Sequence, residues 1–385
     1  MRLVLFVIRK VCLVILLVLY RKLGLILSYA NVVQNHNAFL NSKFSKYALY
    51  KAGCIDLQEF EQNCEVVTRF SPWWYKNLLS MRNPDLFFAK LTEAELKLLK
   101  ENWQGINDYL SSYSLSPFVG INAWTTDYKT DDFRELCKHK VSILMTAKNA
   151  SKTLEYAITS ILNQTYQNFE LIVVDDNSDD GTIELLSKIA KTDDRLFIIR
   201  LDQNHGTYRA RNIALSHATG RYITTHDADD LMHPSHLNLL VNAIDDSPSK
   251  KASISYWVRF KEDGTVSLDR GFPLLRLNLS SFLFKREVLQ DIPCWDEFPC
   301  GADLYFFSEC IEKYGKHSIV YIKKPLSISL FSKFSLTATN KTGVFSMEGR
   351  RMRAKYEDSW RRRLIATYHP RLNKLLIYLE RISIL

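Results

Sequence analysis

The pattern of apolar and polar positions changes character twice along the chain. Residues 3–29 are strongly apolar but are broken by Arg9-Lys10 and Arg21-Lys22. The longest unbroken run, Val11 to Tyr20, is about half of the roughly 20 residues that a helix needs to cross a bilayer. Residues 31–135 read as mostly helical. Within them Leu91, Leu96, Leu98 and Leu99, with acids and lysines between, follow a helical period, and Thr92-x-x-Glu95 forms a capping box, so the spacing predicts a helix over about 92–103. The dense aromatics of this region (Phe60, Phe70, Trp73, Trp74, Tyr75, Trp103, Tyr109) are expected to pack between helices.

From Lys140 the period shortens. Val141 to Ala147 is a β-rich run, followed by a turn and N-cap at Asn149-Ala-Ser151 and a helix to about Leu162. Phe169 to Val174 predicts a second strand, Thr182 to Ala190 a helix, Arg195 to Leu201 a third strand, Tyr208 to His217 a helix and Arg221 to Thr225 a fourth strand. Strands alternating with helices predict an α/β domain whose mostly parallel sheet is flanked by helices on both faces, with its ligand at the carboxyl ends of the strands. The boundaries read as a membrane-associating helix at 1–30, a helical region at 31–135, an α/β domain at 139–345 and a basic helical extension at 346–385.

Charge sharpens the two ends. Of a net +9, residues 1–30 carry Arg2, Arg9, Lys10, Arg21 and Lys22 with no acid, and 350–363 carry seven bases against Glu357 and Asp358, which leaves the body near neutral. A nucleic-acid binder more often spreads basic surface through its folded domain, so no nucleic-acid partner is expected, and an anionic membrane surface fits better. Seven cysteines, an odd number with no CxxC pair, argue against a disulfide framework or a zinc site and for a reducing compartment.

Two acid-rich segments fall where the sheet would place a ligand, directly after predicted strands: Asp175-Asp176-Asn177-Ser178 and Asp227-Ala228-Asp229-Asp230. The chain has no GxGxxG or GxxxxGK[ST] loop to cradle a pyrophosphate with backbone amides. Carboxylates alone repel phosphate; they hold it through a hard cation, since Mg²⁺ or Mn²⁺ takes one or two carboxylates and fills its other positions with phosphate oxygens and water. Asp-x-Asp at a strand end therefore reads as a metal-diphosphate site.

VSILMTAKN at 141–149, SILNQTYQNFELIVVDDNSDDGT at 160–182, RARNIALSHATGRYITTHDADD at 209–230 and HPSHL at 233–237 together resemble an inverting glycosyltransferase of family 2, with the GT-A fold. These stretches cover roughly a quarter of the chain, and a weaker match extends to about residue 340. The resemblance implies transfer of a sugar from a nucleotide-diphosphate donor, a UDP-sugar, to a hydroxyl of a glycan or lipid-linked acceptor in surface polysaccharide or glycoconjugate synthesis, with Mn²⁺ or Mg²⁺. It implies that Thr146, Ala147, Asn149 and Asp176 line the nucleoside pocket, with the Asp176 carboxylate accepting from the base imide; Asp175 is either a second pocket residue or structural. Arg211 would contact the diphosphate, Asp227 the ribose, and Asp229 and Asp230 the metal. Asp303 in Gly301-Ala302-Asp303 would be the catalytic base that takes the acceptor proton, with Asp296 and Glu297 as alternatives, and Asn278 to Ser281 would face the acceptor.

Two departures qualify the resemblance. QxxRW, the signature of processive members, is absent, so a single transfer is expected rather than polymerisation. Ala147-Lys148 stands where an aromatic often stacks on the base. Competing readings are a nucleotidyltransferase, which would need a Gly-rich phosphate loop, and a non-catalytic membrane-bound scaffold, against which the intact acids speak.

For residues 1–30, a helical wheel puts Arg2, Arg9, Lys10 and Arg21 within about 120° of one another, with Lys22 outside that stripe. The expectation is a helix lying in the membrane interface at the cytoplasmic face. A tilted span, which would bury charges at about 2.5–3.5 kcal/mol each, and packing on the protein's own body are the alternatives.

Overall fold

The computed structural model describes residues 2–23, 25–35, 48–52, 54, 98, 101, 105–117, 137–267, 274–331, 339, 341–344 and 346–384. Of the helix expected over 92–103, only Leu98 and Glu101 fall among them, and most of the 31–135 region lies outside them. Two compact units emerge, one of residues 80–332 and one of residues 1–79 with 333–385. The chain's two ends, read from the sequence as separate segments, thus belong to one unit.

In the larger unit, β1 (Val141–Ala147), β2 (Phe169–Asp175), β3 (Leu196–Arg200) and β4 (Tyr222–Asp227) pair in parallel in the order β3-β2-β1-β4. Between them run α4 (Leu154–Leu162), α5 (Thr182–Ala190) and α6 (Thr207–His217), after the short α3 (Ile106–Ser111). Every residue of β2 is buried, as expected of a strand covered on both faces, and its apolar run from Leu171 to Val174 is the sequence signature of that position. The N-cap of α4 is Thr153, two residues beyond the expected Ser151.

Beyond β4 the sheet becomes mixed. β5 (Asp230–Met232) and α7 (His236–Asn242) lead to β6 (Ala252–Lys261), β7 (Arg276–Leu277), β8 (Leu283–Lys285), α8 (Ala302–Tyr314) and β9 (Ile319–Phe331). β8 runs antiparallel to β4 and β6, β6 is parallel to β9, and β9 ends antiparallel to β5. An aromatic cluster of Phe282, Phe284, Trp295 and Phe306, the last two stacked with centroids 4.9 Å apart, fixes α8 against β8. It thereby fixes where Asp303, in the first turn of α8, can stand.

The register aligns the carboxyl ends of three strands: Ala147 lies beside Asp175, and Thr146 beside both Val174 and Asp227. The opposite end is closed by a clamp on Glu170, whose carboxylate accepts from Ser142 Oγ and Thr219 N, both at 2.6 Å, and pairs with Lys140 Nζ at 2.6 Å. Burial pushes this carboxyl up, but its donors outweigh burial and hold it down at about 2. The chain passes so close here that a Cβ on Gly220 would lie 2.6 Å from Ser142 N and 2.7 Å from Lys140 O, so only glycine fits.

The smaller unit contains α1 (Arg2–Leu23), α2 (Ile26–Asn35), α9 (Met347–Tyr368) and α10 (Pro370–Ile384). Leu16, Leu17 and Tyr20 of α1, Tyr29 and Val33 of α2, and Leu376 and Leu379 of α10 share one core. Among the described residues, no helix is long and apolar enough to cross a membrane.

Candidate active site

At the carboxyl end of the sheet, the loops after β1 and β2 are zipped together. Asn149 N donates to Ser178 Oγ at 2.9 Å, Asp179 N to Asn149 Oδ1 at 3.1 Å, and Lys148 Nζ to the Asn177 carbonyl. Asn149 and Asn177 both take left-handed backbone conformations, φ 50° and 62°, which Asn tolerates better than most residues. The Asn149 side chain therefore holds the acidic loop in place.

Asp176 is buried and its two carboxylate oxygens accept from His205 N at 2.7 Å and Gly206 N at 2.8 Å. It anchors the turn that launches α6, while Thr146 and Ala147 lie beside it at the end of β1. Asp175 is fully buried, accepting from Ser178 N at 3.3 Å through Oδ2.

The helix so launched carries Tyr208 and Arg211. Arg211 is 2% exposed, and its guanidinium donates to Asp303 Oδ1 through Nη1 and to Asp227 Oδ1 at 3.5 Å through Nη2. It lies 5.4 Å from the Tyr208 ring centroid and 5.5 Å from that of Trp295. Burial opposes its charge, but the two carboxylates outweigh burial and keep it protonated. Tyr208 Oη donates to Asp303 Oδ2 at 2.9 Å and accepts from Gly301 N at 3.1 Å. Gly301, at φ 85°, is the N-cap of α8, so Asp303 is not the cap and both its oxygens are held from α6. Asn212 exchanges two hydrogen bonds with the Trp295 backbone, at 2.8 and 3.0 Å, which ties the same helix to the segment before α8.

Thus three of the expected site residues, Arg211, Asp227 and Asp303, form one directly bonded cluster. Two partners of these acids were not identified from the sequence. Ser280, within the 278–281 stretch expected to face the acceptor, donates through Oγ to Asp227 Oδ2 at 2.6 Å from a 3-10 turn at 279–281. The charge of Arg259 on β6 draws both carboxyls of the acidic pair down.

The acidic pair itself divides. Asp229 is half-buried; burial, and then the neighbouring Asp227 charge, push its carboxyl up to about 7 against the pull of Arg259. Asp230 belongs to β5, in register with Ser329 of β9, and is 2% exposed, with Oδ2 lacking a hydrogen-bond partner. Burial and two neighbouring acids push it well above the carboxylate range. Among the described residues, no group of three His, Cys, Asp or Glu side chains forms an all-protein cage for a cation. A crowded carboxylate with two acidic neighbours nevertheless fits a hard cation that takes one or two protein oxygens and completes its shell from a diphosphate and water.

Residues 142–311 match a family model described as "Glycosyl transferase family 2". A protein of Haemophilus influenzae described as "Uncharacterized glycosyltransferase" is 38% identical over 116 residues, covering 30% of this chain and 36% of that protein. The Escherichia coli "UDP-Glc:alpha-D-GlcNAc-diphosphoundecaprenol beta-1,3-glucosyltransferase WfgD" is 37% identical over 102 residues, covering 26% of this chain and 40% of that protein. The chain thus spans less than half the length of these relatives. Of solved structures, "S. aureus TarS 1-349 in complex with UDP-GlcNAc" is 18% identical with a TM-score of 0.45, covering 64% of this chain and 88% of that one.

Proposed function

We propose, from the premise that residues 142–311 are a family 2 glycosyltransferase domain, that the protein transfers a sugar from a UDP-sugar to a hydroxyl of a glycan or lipid-linked acceptor, with inversion at the anomeric carbon and with the aid of Mn²⁺ or Mg²⁺. The observation that carries this reading is the Asp227–Arg211–Asp303 chain. It sets a carboxylate at the start of α8 one arginine away from a carboxylate at the end of β4.

In this reading Thr146, Ala147, Asn149 and Asp176 surround the nucleoside, and Asp227, steadied by Ser280, meets the ribose. Asp229 and Asp230 would hold the cation. When bound, the cation offsets the negative charge that develops on the departing diphosphate. Asp303 accepts the proton of the acceptor hydroxyl as that oxygen attacks, which is the role inversion demands of a base on the acceptor side. Arg211 and Tyr208 are positioning residues: each donates to one carboxylate oxygen of Asp303, which fixes where that carboxylate stands.

The test is UDP release from a panel of UDP-sugars with and without Mn²⁺, with acceptor present. Metal-dependent release from at least one donor is the expected result. Release that ignores the metal would remove the metal assignment, and no release from any nucleotide sugar, with UDP binding also absent, would remove the transferase reading.

A further inference from the structure

Among the described residues of the helical unit, three of the four acids on its helices are turned inward. Asp358 on α9 is buried and accepts from Ser28 N and Ser28 Oγ, both at 2.7 Å, and from Leu27 N at 3.2 Å. Glu357 pairs with Arg361 at 2.8 Å and Lys51 at 3.5 Å. Glu380 on α10 accepts from Tyr20 Oη at 2.6 Å and Arg362 at 2.9 Å. With these three consumed, Glu348 is the one exposed acid among the described residues of α1, α2, α9 and α10. The exposed bases of the same helices include Lys355, Arg371, Lys374 and Arg381.

The same helices hold bare apolar surface. On α1, Val14 and Val18 are 47% and 48% exposed and lie one turn apart, with Arg21 and Lys22 on the next turn of the same stripe. Leu13, Leu16, Leu17 and Tyr20 occupy the opposite, buried face. On α10, which packs beside α1, Leu375 and Tyr378 are 46% and 62% exposed, and they share their face with Arg371, Lys374 and Arg381.

An apolar stripe edged by bases, on helices that do not qualify as spans, matches one occupant: an anionic lipid surface, which takes apolar side chains below its headgroups and bases among them. A neutral protein partner would leave the excess of bases unanswered, and a soluble polyanion would leave the apolar stripe in water. We infer that α1 and α10 together, and not α1 alone, form a docking surface for an anionic bilayer, with the inward-facing acids of α9 and α10 leaving its charge uniformly basic.

The test uses the full chain in co-sedimentation with phosphatidylcholine vesicles, with and without phosphatidylglycerol, at low and high salt. The wild type is expected to bind the anionic vesicles preferentially and to be released by salt. R371Q/K374Q/R381Q should weaken that binding by about fivefold per charge. L375S/Y378S should weaken it by about tenfold or more, the scale of withdrawing two partly inserted side chains. Circular dichroism and thermal unfolding equal to wild type establish that both variants fold. Wild-type vesicle binding by both folded variants would overturn the role of α10, and equal binding to neutral vesicles would overturn the charge argument. If the chain ignores vesicles and instead forms a dimer that L375S/Y378S dissociates, the surface belongs to a second copy and the inference fails. Vesicle binding requires no nucleotide sugar, so its outcome is independent of the transferase reading.

Discussion

The two ends of one sheet treat their carboxylates in opposite ways. At the amino end Glu170 is buried under Lys140, Ser142 and Thr219, and sits at about 2. At the carboxyl end Asp229 is crowded by Asp227, with Arg259 as its partial counterweight, and rises to about 7. Burial pushes both carboxyls up; Glu170 has donors enough to reverse it, whereas at Asp229 the neighbouring Asp227 charge adds to it and Arg259 offsets only part. An acid that the fold has saturated with donors is a structural part, whereas an acid raised by like charge at a strand end is prepared to accept a cation or a proton.

Replacing Asp303 probes the working end most strongly. Asp303→Asn should lower the rate of transfer by roughly 10²–10⁴, the usual weight of general-base catalysis, with little change in KM for the donor. Steady-state kinetics decides it, and a mutant that keeps most of its rate moves the base to Asp296 or Glu297. Removing the bridge is next in size. Arg211→Ala leaves two carboxylates without their shared counter-charge; both remain partly exposed, so the cost is expected at about 1–3 kcal/mol, below that of breaking a fully buried pair, readable by denaturant unfolding.

The saturated end should answer in stability alone. Glu170→Gln is expected to cost about 1–3 kcal/mol near neutral pH and to leave UDP binding intact. Because the folded carboxyl lies below its unfolded value, its contribution is present above the unfolded pKa and is lost as pH falls toward about 2. Asp229 has the opposite sign: its folded carboxyl lies above the unfolded value, so wild type should lose stability as pH rises from about 4 to 7. Asp229→Asn should flatten that slope by about 1 kcal/mol across the window. Thermal melts of both variants between pH 4 and 7 compare the two ends directly, and parallel slopes would abolish the distinction.

How much of this was legible before the fold was known follows from the range of each interaction. β1 and β2 could be read because each carries a run of apolar residues, several of them β-branched, suited to a strand covered on both faces, and β4 because Tyr, Ile and Thr favour a strand; the acids after them could be read because strand ends are where such sheets open. The partners of those acids were not legible. Arg211 follows the first acidic loop by some thirty residues, and an arginine suits a phosphate as well as a carboxylate, so composition could not say that Asp303 would be its partner. Ser280 and Arg259 reach the site from the mixed half of the sheet, where pairing joins segments far apart in the chain and neither residue carries a local signal. Asp230 stands in β5 in register with Ser329 of β9, a pairing of segments about a hundred positions apart that the acidic motif itself does not report. The helical unit was least legible: the bond from Ser28 to Asp358 spans 330 positions, and no periodicity reports it.

The most direct test of the account is calorimetric titration of UDP into wild type, Asp229→Ala and Asp303→Asn, with and without Mn²⁺. The account predicts Mn²⁺-dependent binding to wild type and to Asp303→Asn with similar affinity, and its loss in Asp229→Ala. Unchanged affinity in Asp229→Ala, or loss of binding in Asp303→Asn, would contradict the division of the carboxyl end into a cation-holding acid and a proton-accepting one.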